Sequence, residues 1–175
     1  MSETVKPVNY LLPITFRRHQ RVTAGVLDER AESAFTCGQC FSLAYALMEL
    51  LDDDTRSEYT VHFLTQVDEA GERKEYFIHA YLVASGGVKF DAMGIDSAEG
   101  YVGEWSSRYA NYATFRVDIA TWGDMLAWQN NWIASIVATM PKQRFDAARV
   151  FAPAVWDRVV TQAVSLGCAT DRYWD

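Results

Sequence analysis

Cysteine, histidine and proline are all scarce in this chain, and each scarcity narrows what it can do. Three cysteines in 175 residues cannot make a complete set of disulfides, so stability must come from a packed core. Cys168 has no motif around it and reads as structural or inert. Three histidines leave few choices for a general base. No Pro-, Gly- or Ser-rich linker, internal repeat or low-complexity segment divides the chain, so one domain over residues 1–175 is expected. No apolar run approaches about 18 residues, which argues against a membrane-spanning helix. Met1–Tyr10 lacks an apolar signal core, so the expected compartment is the cytoplasm. Basic charge is in deficit: 16 Lys and Arg against 23 Asp and Glu leave a net −7. That balance argues against nucleic-acid binding, which needs a basic surface.

What is abundant is apolar and aromatic. Half the residues are hydrophobic and 14% are aromatic, which excludes general disorder and supplies a real core. The densest apolar stretch is Cys40-Phe41-Ser42-Leu43-Ala44-Tyr45-Ala46-Leu47-Met48-Glu49-Leu50-Leu51. Cys40, Leu43, Ala44, Leu47, Met48 and Leu51 form one stripe at helical spacing, and Phe41, Tyr45, Ala46 and Leu50 make the far side apolar too. The reading is a central buried helix over Cys37–Leu51. Thr36 and Gln39 fit a capping box at its start, and Gly38 offers a start one or two residues later. Either way Cys40 falls in or just before the first turn, where free N–H groups and the positive dipole end favour a thiolate. The acidic run Asp52-Asp53-Asp54 stops the helix, although it is a poor match for a C-terminus.

The rest reads as strands and helices in blocks. Tyr10–Phe16, with Pro13 inside it, suggests an edge strand or extended arm, and Arg17–Glu32 gives no firm pattern. Glu58–Val67, Lys74–Ala84 and Val88–Ile95 read as three strands, with turns at Asp68–Glu72 and Ser85–Gly87. Asp96–Tyr112 reads as an aromatic loop, Ala113–Ile119 as a strand, and Thr121–Met140 as a helix ended by Pro141. Pro153–Leu166 reads as a last helix closed by Gly167. Helix, antiparallel strands and then helices is an α+β order.

A cysteine nucleophile needs a base, and the base needs an orienter. His19 sits in a cationic segment, His62 on the first of the three strands and His79 on the second, and Asp91 follows on the third. With a three-residue turn Ser85–Gly87, Tyr81 faces Asp91 and His79 lies diagonal to it, about 7–8 Å away at the backbone and within side-chain reach. A turn that includes Ala84 would set the two directly opposite. A two-residue Gly86-Gly87 turn would put them on opposite faces. Cys37-Gly38-Gln39-Cys40 is also a C-x-x-C. A thioredoxin-like pair should follow a buried strand, which Asp28–Ser33 is not. A zinc site would need two further ligands, and no histidine is followed two residues later by Glu as in zinc deaminases. Neither a metal nor a cofactor is expected.

These residues resemble a known group. Gly38-Gln39-Cys40-Phe41 is similar to the G-Q-C-W nucleophile motif of transglutaminases. His79-Ala80-Tyr81-Leu82-Val83 and Gly86-Gly87-Val88-Lys89-Phe90-Asp91 resemble that family's His strand, glycine turn and Asp strand. Cys37-Gly38-Gln39-Cys40-Phe41 also echoes the C-G-S-C-W of papain-like peptidases. However, papain's upstream glutamine is replaced by Ala34 and its Asn by Asp91, so the transglutaminase-like branch is closer. The resemblance covers Thr36–Gly94. It implies a papain-like (transglutaminase-like) core, in which a central Cys-bearing helix packs on an antiparallel sheet carrying His and Asp, with additional C-terminal helices. It implies Cys40, His79 and Asp91 as a triad, and Gln39 or Trp105 as a second oxyanion donor beside the Cys40 backbone N–H. The expected chemistry is attack on an amide or acyl bond through a thioacyl intermediate, of peptidase, amidase, deamidase or transglutaminase type. The expected partner is a protein, a peptide or a small amide. The alternatives are a non-catalytic interaction protein on the same fold and a C-x-x-C redox protein.

Overall fold

The computed structural model describes residues 8–15, 18–67, 70, 73–96, 112–117 and 141–167. Two strands, β1 (Asn9–Thr15) and β2 (Arg18–Thr23), pair as an antiparallel hairpin. Helices α1 (Glu29–Cys37), α2 (Cys40–Glu49) and α3 (Asp53–Arg56) follow. Strands β3 (Tyr59–Val67), β4 (Arg73–Ala84), β5 (Lys89–Asp91), β6 (Gly94–Ile95) and β7 (Tyr112–Val117) then build a second sheet, and helix α4 (Pro141–Ser165) comes last. The five strands are antiparallel in the order β6-β5-β4-β3-β7. The architecture is α+β, a small antiparallel sheet with helices.

Several boundaries differ from the sequence reading: the strand read over Val88–Ile95 is a pair, β5 and β6, folded back at Ala92-Met93, and the helices differ as follows. The expected helix over Cys37–Leu51 begins later and is preceded by a separate helix. Thr36 caps nothing: it lies inside α1, and its hydroxyl donates back to the Glu32 carbonyl at 2.9 Å. The α1 cap is Asp28, whose carboxylate accepts from the N–H groups of Arg30 and Ala31 at 3.1 and 2.9 Å. The chain breaks at Gly38-Gln39, and α2 starts at Cys40. The acidic run after α2 is the start of α3: Asp52 caps it by accepting from Thr55 N–H at 2.7 Å, with Asp53 and Asp54 in the first turn. There the negative charges meet the positive dipole end. Arg56 then turns back and donates to the carbonyls of Met48 and Leu51, which finishes the α2 C-terminus.

Pro141 opens α4, a position where its missing N–H costs nothing, and the helix it was expected to end lies outside the described residues. Pro153, expected to begin the last helix, lies inside α4, where it leaves the Arg149 carbonyl without its usual intrahelical donor. Gly167, at φ 66°, ends the helix. The regions expected as an aromatic loop over Asp96–Tyr112 and a helix over Thr121–Met140 fall, but for Asp96 and Tyr112, outside the described residues.

Helix α2 is the middle of the core. Cys40, Phe41, Leu43, Ala44, Ala46, Leu47 and Met48 are all buried, and the helix packs against β4, β3, β5, α1 and α4. The apolar side of α4 runs Phe145, Ala148, Phe151, Ala152, Val155, Val159 and Ala163 at helical spacing, all buried. Phe151 meets Phe35 of α1 with ring centroids 5.1 Å apart. Trp156 packs edge-on against Tyr59 and Phe90 at 5.7 and 5.6 Å. Each such aromatic is worth a few kcal/mol of buried apolar area (about 25 cal/mol per Å²). The bidentate Arg149–Glu49 pair between α4 and α2 is half-exposed and adds at most about 1 kcal/mol.

Candidate active site

Each member of the site is held by a different element. Cys40 is the first residue of α2, and Gln39 occupies the cap position without using its side chain to cap the helix. No acidic residue sits in the first turn of α2. Its early N–H groups and positive dipole end are therefore aimed at Cys40 rather than satisfied by a carboxylate.

His79 comes from β4. The β3–β4 ladder runs in step from Tyr59 opposite Ala84 to Leu64 opposite His79, then slips so that Thr65 faces Phe77. An irregularity of this kind locally re-aims a side chain, and it lies directly beside His79. Asp91 is the last residue of β5. Leu82 pairs with Phe90 and Val83 with Lys89, and Ala84 N–H donates to the Val88 carbonyl at 2.9 Å. This is the register of the three-residue turn Ser85–Gly87, which sets Asp91 opposite Tyr81 and diagonal to His79. The side chains close the gap: His79 Nε2 and Asp91 Oδ2 are 2.8 Å apart. The other carboxylate oxygen, Oδ1, accepts from Met93 N–H at 2.7 Å.

The site is nearly dry. Gln39, His79, Asp91 and Cys40 are 0%, 1%, 3% and 5% exposed. Burial by itself pushes the His79 imidazole toward neutrality. The Asp91 hydrogen bond, together with a hydrogen bond and charge from Cys40, more than reverses this and raises its pKa to about 10. The imidazolium is therefore the favoured form beside Cys40 and Asp91. With Nε2 committed to Asp91, Nδ1 is the nitrogen able to exchange a proton with Cys40. The Tyr81 ring stacks on the imidazole, with centroids 6.1 Å apart and planes 19° from parallel, and further limits its rotation.

Cys40, His79, Asp91 and Gln39 are thus brought together, while Trp105 lies outside the described residues. Cys37 is exposed at the end of α1, and both it and Cys40 are free thiols. Among the described residues no group of three or more His, Cys, Asp or Glu side chains is placed to hold a metal ion. No helix among them is long and apolar enough to cross a membrane. Sequence reasoning missed Tyr81 as a packing partner of His79, although its place two residues along the same strand face signalled it. It also missed Arg158 and Gln162 of α4, which touch the turn after Asp91. Their spacing of four along one helix face was visible, but their target was not. Comparison of the chain with protein-family models, with curated proteins and with solved structures finds no match.

Proposed function

We propose that the chain is a cysteine-nucleophile enzyme of papain-like, transglutaminase-like type that acts on an amide or acyl bond. One observation carries the reading: a buried imidazole has a carboxylate 2.8 Å from one nitrogen, and a cysteine that begins a helix helps to raise its pKa. In the mechanism that this supports, His79 takes the Cys40 proton and the thiolate attacks the carbonyl carbon. A C–S bond forms as the carbonyl electron pair moves onto oxygen. The Cys40 backbone N–H at the start of α2 stabilises that oxyanion, and the buried Gln39 side chain is the candidate second donor. Collapse breaks the bond to the leaving group, which takes the proton from the His79 imidazolium. Water or an amine then attacks the thioacyl carbon, giving a proton back to His79, and Cys40 leaves as thiolate. Asp91 holds the Nε2–H tautomer throughout and stabilises the cation. The partner is a protein, a peptide or a small amide.

The test is selective labelling followed by trapping. Cys40 should react with iodoacetamide near neutral pH at least about tenfold faster than an ordinary thiol, whose pKa is about 8.5. Incubation with acyl donors should leave a thioester adduct on Cys40 whose mass identifies the acyl group. Slow alkylation of Cys40 together with no adduct from any donor would sink the proposal. Cys37→Ser should leave both results unchanged. A reversible Cys37–Cys40 disulfide, with matched losses in the two single variants, would favour a redox protein instead.

A further inference from the structure

Asp91 is the member of the site least secured by its own sheet. Strand β5 is three residues long and β6 two, and β5 meets β4 through two residue pairs. By contrast, β3 and β4 pair over most of β3. A short strand near the sheet's edge, ending in a turn, is where a backbone opens first. Yet the His79–Asp91 bond requires the carboxylate to be fixed within a few tenths of an ångström.

The missing constraint comes from α4. Ala92 and Met93 form the turn between Asp91 and Gly94. On one side of it Arg158 Nη1 donates to the Ala92 carbonyl at 2.9 Å. On the other, Gln162 Oε1 accepts from Ile95 N–H at 2.7 Å. The two side chains are four residues apart and so share a helix face. Each matches the polarity of the backbone group it meets, a cation on a carbonyl and a carbonyl on an N–H. Arg158 is itself anchored by Glu32 Oε1 at 2.6 Å and the Leu27 carbonyl at 3.3 Å. Gly94 completes the fit: its φ is +102°, and any Cβ there would collide with the Gln162 carboxamide. Two residues before Arg158 on α4, Trp156 packs on the ring of Phe90, the residue before Asp91.

We propose that Arg158 and Gln162 are positioning residues: they clamp the turn after Asp91 from both sides and so hold its carboxylate on His79. The catalytic meaning of the clamp rests on the enzymatic reading above, but its effect on the His79–Asp91 bond does not. The imidazole N–H proton shared with Asp91 gives a downfield NMR signal that needs no substrate, and Cys40 alkylation reports the thiolate.

The variant to make is Gln162→Met, which keeps the side chain's length and loses the acceptor. Arg158 has three partners, and its removal risks the fold. Gln162→Met should broaden or shift the imidazole N–H signal while cooperative thermal unfolding persists. It should also slow Cys40 alkylation near neutral pH by about 3- to 30-fold, below the ~10²-fold that a full 1 Å misplacement can cost. Gln162→Glu, which keeps an oxygen in place, should restore both. Among the described residues the titratable groups against His79 include Cys40 on α2, Asp91 on β5 and Tyr81 on β4, and Gln162→Met alters none of these. An unchanged imidazole signal in folded Gln162→Met overturns the clamp. Slow Cys40 alkylation in the wild type would instead count against the enzymatic reading, and the NMR result would still decide the clamp.

Discussion

Helices α1 and α2 are neighbours of nearly equal length, and they use their N-termini in opposite ways. Helix α1 satisfies its own first turn: Asp28 accepts two backbone N–H groups, and Glu29 and Glu32 bring negative charge to the positive end. Helix α2 has no side-chain cap and no acid in its first turn, and its first residue is Cys40. A capped helix start is stable and chemically closed. An uncapped one gives up roughly 1 kcal/mol and leaves N–H groups able to serve an anion. On the proposed function, α1 serves as support and α2 presents the thiol.

The comparison breaks most severely if the presented group is removed. Cys40→Ala should abolish turnover, because no other group in the site can form the acyl intermediate, and stability should change by only about 1–2 kcal/mol. His79→Ala should be nearly as severe. Turnover of any wild-type substrate by Cys40→Ala at full rate would end the nucleophile assignment.

Asp91→Asn should follow with a loss of roughly 10- to 10³-fold, bounded by the ~10⁴ of a serine triad. It keeps the hydrogen-bonding shape but can hold the wrong tautomer. The effect is milder than for serine because a cysteine–imidazole ion pair forms before attack. A full-rate Asp91→Asn enzyme would leave a Cys40–His79 dyad.

The contrast between the helices can be erased by giving α2 the kind of cap that α1 has. Gln39→Asp would place an acceptor and a negative charge at the α2 start. Cys40 alkylation near neutral pH should slow by about tenfold, with folding followed by circular dichroism. An unchanged rate would mean that the helix end does nothing for the thiol.

A pH titration sharpens the same point. The folded His79 pKa is raised from 6.5 to about 10, against the effect of burial, by Asp91 and Cys40. The stability this adds is present in full below about 6.5 and is lost as pH rises through about 10. Urea unfolding across that window should show stability falling with pH, and the fall should be shallower in Asp91→Asn. Equal slopes in the two proteins would rule out Asp91 as a main support of the imidazolium. The smallest effect belongs to α1. Asp28→Ala should cost about 1 kcal/mol and leave Cys40 alkylation within about twofold, as expected for independent sites. A larger drop in reactivity would show that the α1 cap also supports the site.

What was legible in the sequence follows from rules that act over a few residues. The apolar stripe after Cys40 marked a buried helix because side chains three and four apart share a face. The strand pattern placed His79 and Asp91 on neighbouring strands, and Ser85-Gly86-Gly87 allowed a register that joins them. The capping box at Thr36 misled because Asp28 offered a better start eight residues earlier, and a threonine inside a helix can donate back along it. Pro141 also opens a helix, because proline fits the first turn, where its missing N–H costs nothing.

The remaining decisions belonged to tertiary structure. Ala80, Leu82 and Phe90 face the core shared with α2, while Leu64, Tyr81 and Val83 form a small cluster of their own. Strand alternation puts His79 and Asp91 on the Tyr81 side, where Asp91 and Cys40 together raise the His79 pKa. The slip after Leu64, the grip of α4 on the turn after Asp91 and the dryness of the site all arise from packing between residues distant in sequence. By itself the sequence determined the kinds of element around the site, though not β2 and α1, and the candidate chemistry, because backbone propensity and side-chain period are local. The turn after Asp91 is tied to α4 across 67 positions, from Ile95 to Gln162, which no local pattern encodes.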